Sequence, residues 1–384
     1  MTTRSATVTW AGANSRRMER QGLTAPLNAA PAAVVRSMPA VHAQVMSAAE
    51  LSVGLRSREL TRADVRTALW EDRTLVRTFG PRGTVHLVPA DELPLWTGAL
   101  SALPVGRSVH PDSVRMTPEQ TEEVLAAIGD ALTGAELTVD ELTDAVVSRA
   151  GAWAGEPVMP AFQTLWPRWR QVTHLASHRG LLCFGRDRGR KITYTRPDVT
   201  PLDGPPALAA LARRYLYAYG PATPRDFATW LAAPARWASG LFAGLAEEGD
   251  IEEVVYEDGG PAWVVAGDAA FPSQPVRGVR LLPYFDAFVI ASRPREKLFP
   301  GAARTRALAG GQAGNFPVLL VDGTVAGVWH QRRSGRRIAV TVEPLSPLTA
   351  GQLRELEQRV ARVGEVMEGN PELTVGKVTV GGHA

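Results

Sequence analysis

Lysine is nearly missing from this chain. Of 42 Lys and Arg residues in 384, only Lys191, Lys297 and Lys377 are lysine; the rest are arginine. Chemistry that needs a lysine amine therefore has three places to reside. Much of the arginine usage, beside abundant Ala, Gly and Pro, fits a GC-rich coding sequence. Cysteine is reduced to Cys183, so no intrachain disulfide can form, as in reducing compartments. No apolar run reaches the roughly 18 residues of a membrane span. The opening MTTRSATVTWAGANSRRMERQGL has no apolar core of a secretory signal. A cytoplasmic protein with no membrane partner is expected. Charge of one sign is lacking too: 42 basic against 39 acidic residues leave +3, too little to name nucleic acid as a partner without a local arrangement.

What is present is ordinary for a globular protein. An apolar share of 45% with 21% charged residues excludes disorder as the main state. The length suggests about two to four domains. Helix starts are marked by Thr61 with Asp64, Thr117-Pro118-Glu119, Thr138 with Glu141, and Thr223-Pro224-Arg225-Asp226. Leu353, Leu356, Val360, Val363 and Met367 keep a helical period near the end.

Strand signals follow the helices. They are Gly83–Val88, then Leu181–Phe184 with Ile192–Tyr194, then Ile251–Tyr256 and Trp263–Val265 across Asp258-Gly259-Gly260. Two or three helices followed by a hairpin is the plan of a winged helix, and the chain repeats it three times. From about Val276 the pattern turns β-rich, with strands expected at Gly278–Phe288, Pro317–Val321, Thr324–His330 and Arg337–Val342, and a helix near 348–368. The expected fold is α+β: winged-helix units at 1–115, 116–203 and 204–275, then a β-rich domain at 276–384.

The first chemical candidate is His42-Ala43-Gln44, in a segment (Val34–Arg56) expected as helix, a break near Pro39, and a second helix. On a regular helix two such residues diverge by about 200°. Convergence then needs a helix start or a tight turn, and Pro39 makes a helix start reasonable. The plainer alternative is a polar helix N-terminus in water.

HAQVMSAAELSVGLRSR (42–58) resembles the motif segment of the AlkZ-type winged-helix DNA glycosylases. RTFGPRGTVHLV (77–88), PATPRDFATWL (221–231), RLLPYFDAFVIASR (280–293) and the basic hairpin after Gly327-Val328-Trp329 resemble further stretches of that family, in the same order. The resemblance covers essentially the whole chain. It implies tandem winged helices and a β-rich end forming a C-shaped monomer around double-stranded DNA, and excision of alkylated guanine. The family motif is most often Gln-x-Gln or Gln-x-Asp; here the first position is His42. The histidine form resembles a subgroup linked to self-resistance against intercalating antibiotics that alkylate guanine N7, of the trioxacarcin or hedamycin type. It favours bulky monoadducts over interstrand crosslinks. No cofactor and no metal are implied.

The chemistry tolerates modest residues. An N7-alkylguanine is already cationic and leaves without protonation. The enzyme must place a water near C1′ and stabilise an oxocarbenium-like sugar. His42 is the candidate base for that water, and Gln44 its candidate positioner. With no lysine near the motif, a Schiff-base lyase is not expected.

Cationic candidates lie elsewhere. Arg332, Arg333, Arg336 and Arg337 surround a Ser-Gly turn, after His330 and Gln331. An arginine-tipped ribbon can enter a DNA groove; its bland alternative is a solvated tip. Arg186, Arg188, Arg190 and Lys191 form a similar group on the second hairpin. Arg77, Arg82 and His86 form another near the first, where local capping is an equal reading. His174 and His178 with Cys183 have neither HExxH nor CxxC context and read as structural. Asp286 reads as a structural tie at a turn. Gly310–Gly314 lacks a P-loop ending, and no GxSxG is present.

Three functions remain in view. The first is a DNA glycosylase for N7-alkylguanine adducts. The second is a non-catalytic winged-helix regulator or damage sensor, though regulators usually carry one such unit per chain. The third is a protein that sequesters the antibiotic itself.

Overall fold

The computed structural model describes residues 7–104, 106, 110–161, 164–257 and 260–382. Asp258 and Gly259, in the turn expected between two strands, lie outside the described residues.

Helix starts form where their caps stand. Thr61 and Asp64 close a capping box on Arg62–Trp70, Thr117 and Gln120 on Pro118–Ala131, Thr138 and Glu141 on Val139–Ala150, and Thr223 and Asp226 on Pro224–Leu231. Each cap satisfies amide donors that the helix leaves unpaired, for about 1 kcal/mol. Thr349 and Gln352 do the same for Ala350–Val366.

Three small sheets follow helical segments. In the first, Val85–Pro89 is central, flanked by Leu75–Phe79 and by Val41–His42. In the second, Thr193–Thr195 lies between Glu136–Thr138 and Cys183–Phe184. In the third, Ile251–Tyr256 pairs with Pro261–Val265, and the N-terminal strand Thr7–Val8 adds in parallel to its other edge. A short hairpin, Pro157–Ala161 with Thr164–Pro167, was not legible in the sequence.

The C-terminal sheet has five strands, in order Val279–Leu282, Val318–Val321, Thr324–Ser334, Arg337–Pro344 and Asn370–Val375. Both faces are covered, so alternation sends side chains into two cores. Leu281, Leu319, Trp329 and Val340 meet Leu356, Val360 and Val363 of the long helix. Leu282, Val318, Leu320 and Val328 meet Phe288, Phe299 and Ala303 on the other side.

Two expectations change. The strand expected over Gly278–Phe288 ends at Leu282. Pro283 cannot extend a ladder, Phe285 takes a left-handed φ of 54°, and Asp286 caps a helix over Ala287–Ala291. The second change concerns the motif. Helix Pro31–Ser37 is followed not by a helix start at His42 but by the strand Val41–His42, and the next helix begins at Met46.

The motif helix Met46–Leu55 is fixed by the distant C-terminal helix. At Gly54 a β-carbon would stand 2.3 Å from Val366 Cγ1. Arg362 Nη2 donates to the carbonyls of Gly54, Ser57 and Leu60 at 3.0, 3.1 and 2.8 Å, satisfying carbonyls at the helix C-terminus.

Candidate active site

The motif backbone is stitched to the central strand. Val41 pairs with Leu87 and His42 with His86, and Ala43 N–H donates to Val85 O at 2.7 Å. An extended chain alternates its side chains. Val41 and Ala43 therefore point into the core and His42 to the opposite side, and the chain bends at Gln44 before the helix at Met46. The 200° divergence of a helix does not arise. Gln44 N lies 3.5 Å from His42 Nδ1, and the Gln44 side chain is exposed while His42 is 8% exposed.

Aromatic rings hold His42 on two sides. Phe285 stacks on it at 4.6 Å between centroids and 26° between planes. His86 meets it edge-on at 5.0 Å and 68°. His86 is buried, and its Nδ1 is 2.8 Å from Thr84 O. A carbonyl only accepts, so the fitting neutral tautomer carries its proton on Nδ1. Burial, then His42 and Arg82, push the His86 pKa well below 6.5, against the Thr84 bond. Gly80 makes room for this ring, because a β-carbon there would be 2.8 Å from His86 Nδ1.

Phe285 is anchored from below. Its neighbour Asp286 accepts from Arg56 Nη1 and Nη2 at 2.8 Å each and from Ser52 Oγ at 2.8 Å. Phe285 N–H donates to Gly314 O at 2.8 Å. On the other flank, Tyr284 Oη is 3.4 Å from His330 Nδ1, at the root of the arginine hairpin. The residues that sequence reasoning missed are thus Tyr284, Phe285 and Arg56. Tyr284 and Phe285 lie in the stretch 280–293, whose Asp286 reads as a structural tie, and Arg56 lies in the stretch 42–58.

Other cationic candidates scatter. His86, expected as a DNA contact, is 3% exposed beneath His42, so it has no surface to offer a phosphate. Arg82 Nη1 donates to Trp230 O at 2.8 Å, and burial lowers its pKa. Arg77 is 8% exposed, lies over the Phe184 ring at 4.4 Å and reaches Ala43 O at 3.5 Å. Arg186, Arg188, Arg190 and Lys191 are exposed. Arg188 pairs with Glu141 at 3.0 Å and Lys191 with Asp140 at 2.9 Å.

Arg332, Arg333, Arg336 and Arg337 are all exposed around Gly335, whose φ of 60° closes the turn. Arg333 donates to Met367 O at 2.6 Å, and Arg337 pairs with Glu372 at 2.6 Å. Among the described residues Arg332 and Arg336 make no ion pair. The His174 and His178 rings stand 5.7 Å apart. No cluster of three or more His, Cys, Asp or Glu suited to a metal is found among the described residues. No helix among them is long and apolar enough to cross a membrane.

The arrangement is a buried imidazole on a two-residue strand, an exposed amide two residues further on, and a polar hairpin that His330 joins to Tyr284. The model of the DNA glycosylase AlkZ-like family matches residues 35–366. This chain belongs to the AlkZ-like DNA glycosylases. It is 30% identical over 326 residues to the interstrand DNA cross-link repair glycosylase of Streptomyces sahachiroi, covering 82% of this chain and 85% of that protein. The solved structure of the Streptomyces sahachiroi DNA glycosylase AlkZ superposes with a TM-score of 0.79 at 26% identity, covering 96% of this chain and all of that one. This AlkZ-like protein is therefore a DNA glycosylase with a mixed α+β fold, and DNA is its substrate. A non-catalytic regulator is set aside.

Proposed function

We propose that this AlkZ-like enzyme is a monofunctional glycosylase for bulky N7-alkylguanine adducts of the trioxacarcin or hedamycin type, conferring antibiotic self-resistance through base excision repair. The observation that carries the reading is His42 held at the end of a short strand, with the backbone N–H of Gln44, the second motif residue, 3.5 Å from its Nδ1. His42 takes a proton from water while the water oxygen bonds to C1′. The C1′–N9 electrons pass to the cationic base, which leaves neutral. Gln44 holds the water through its amide oxygen. An imidazole is a stronger base than the glutamine amide usual at this position, which suits deprotonation of the attacking water.

Around this site the reading has tandem winged-helix units divided at 1–115, 116–203, 204–275 and 276–384, C-shaped about duplex DNA. Arg332, Arg333, Arg336 and Arg337 with Arg186, Arg188, Arg190 and Lys191 serve the phosphates. Arg82 acts through the loop it ties. The enzyme works as a cytoplasmic monomer, which fits its one, buried cysteine.

The relative from Streptomyces sahachiroi is named for crosslink repair, so crosslink unhooking is the second reading. One experiment separates them. Duplexes carrying a single defined guanine-N7 monoadduct, or one N7–N7 crosslink, are incubated with enzyme and then with alkali. Strand cleavage only on the monoadduct, lost in His42→Ala and Gln44→Ala, supports the proposal. Equal unhooking of the crosslink favours the second reading, and an unimpaired His42→Ala enzyme removes the base role.

A further inference from the structure

We infer that Phe285 is a positioning residue for the glycosylase reaction, acting through His42. The inference rests on the reading of His42 as the working base.

His42 has only a two-residue strand to hold its backbone, and its ring rotates about two side-chain bonds. A base must meet its water within hydrogen-bond reach, so ring orientation decides its use. Two rings fix that orientation. His86 is edge-on and belongs to the same sheet. Phe285 covers a face at 4.6 Å and comes from the C-terminal part of the chain. An offset-stacked or edge-on ring is the preferred aromatic geometry, and one of each leaves the imidazole little freedom.

Phe285 occupies its place at a cost in backbone conformation. Its φ of 54° lies in the left-handed region, which a bulky residue seldom adopts. Such a residue persists only where its surroundings over-determine it. Here they do. Asp286, next in the chain, is locked between Arg56 and Ser52 of the motif helix. The Phe285 amide is held by Gly314 O at 2.8 Å. A β-carbon on Gly314 would come within 3.2 Å of Phe285 Cα, so that glycine permits the approach. The helix that follows the motif therefore carries, through Arg56, the residue that stacks on the motif. Removing the ring spares the backbone hydrogen bond to Gly314 O and takes away the wall against His42, together with a tilted contact to Tyr284 at 6.3 Å.

The test uses single-turnover excision of N7-methylguanine from a duplex oligonucleotide, with binding to the same duplex measured separately. Phe285→Ala is expected to slow excision by about 10- to 100-fold, with duplex affinity within about threefold. Phe285→Tyr keeps the stacked ring and should stay near wild type. Phe285→Leu keeps apolar bulk without a planar face and should be slow while melting like wild type, which separates stacking from filling. In a His42→Ala background, Phe285→Ala should add no further loss, because the cycle isolates their coupling.

A wild-type rate for Phe285→Ala, or the same fractional loss with and without His42, overturns the inference while His42→Ala alone stays slow. If His42→Ala is itself as fast as wild type, both the base reading and this inference fall, and that result is distinguishable from the former.

Discussion

Arg56 and Asp286 meet as a bidentate ion pair with both side chains fully buried, at 2.8 Å on each side. They lie 230 residues apart, one at the end of the motif helix and one beside the ring that stacks on His42. A buried pair is poor evidence of net stability, but removing one partner strands the other charge. Asp286→Ala should lower unfolding stability by about 3–5 kcal/mol, read by urea titration. Replacing both residues together, Arg56→Met with Asp286→Leu, should recover much of that loss. Equal destabilisation by single and double variants would count against a stranded charge.

Two buried histidines give the fold a pH dependence. Burial pushes the His178 pKa down to about 3 and holds His86 well below 6.5. An unfolded histidine protonates near 6.5, so below that pH the unfolded chain binds protons that the native one does not. Stability is then complete above about pH 7 and falls with acid, with His178 alone contributing about 3 kcal/mol by pH 4. Denaturation from pH 7.5 to 4 should show this slope, and His178→Gln should make it shallower. A slope unchanged by that variant would place the titration elsewhere.

Local signals were legible and distant pairing was not. The threonine caps at 61, 117, 138 and 223 could be read because a cap and the first turn it closes lie within three residues. The strand that carries His42 could not, because it depends on a partner strand that begins at Val85. Phe285 was hidden for the same reason, in a run whose apolar content read as a strand. The arginine excess also acquires an interior. Arg17 is 1% exposed and donates to the carbonyls of Tyr219 and Pro221 at 2.8 and 2.9 Å. Arg362 bridges three carbonyls in the same way. A planar guanidinium with several donors can do this where a lysine cannot, so composition alone understated the structural share of these residues.

The scarcity of lysine bears on the reaction products. Lys191 is paired with Asp140 and Lys297 with Glu257, at 2.9 and 3.0 Å. Lys377 lies past the last strand. With no lysine near the motif in the sequence, the abasic sugar is expected to stay intact. Borohydride added during turnover should trap no protein–DNA adduct, and the abasic strand should break only after alkali. A trapped adduct on a gel would require an amine nucleophile and contradict hydrolysis by water.

The arginine hairpin should show graded rather than uniform contributions to binding. Arg332 and Arg336 are exposed and carry no ion pair among the described residues, so each can neutralise a phosphate without first giving up a carboxylate. Arg337 is held by Glu372 and must exchange one partner for another. A phosphate contact contributes about one unit to the slope of log affinity against log salt. Arg332→Ala and Arg336→Ala should each flatten that slope by about 0.9 on undamaged duplex, and Arg337→Ala by less. The same ordering should hold on the second hairpin, where Arg190 is exposed while Arg188 and Lys191 pair with Glu141 and Asp140. Because these contacts read charge and not the lesion, damaged and undamaged duplexes should weaken in parallel. A variant that weakened only the damaged duplex would place that arginine at the adduct instead of the backbone.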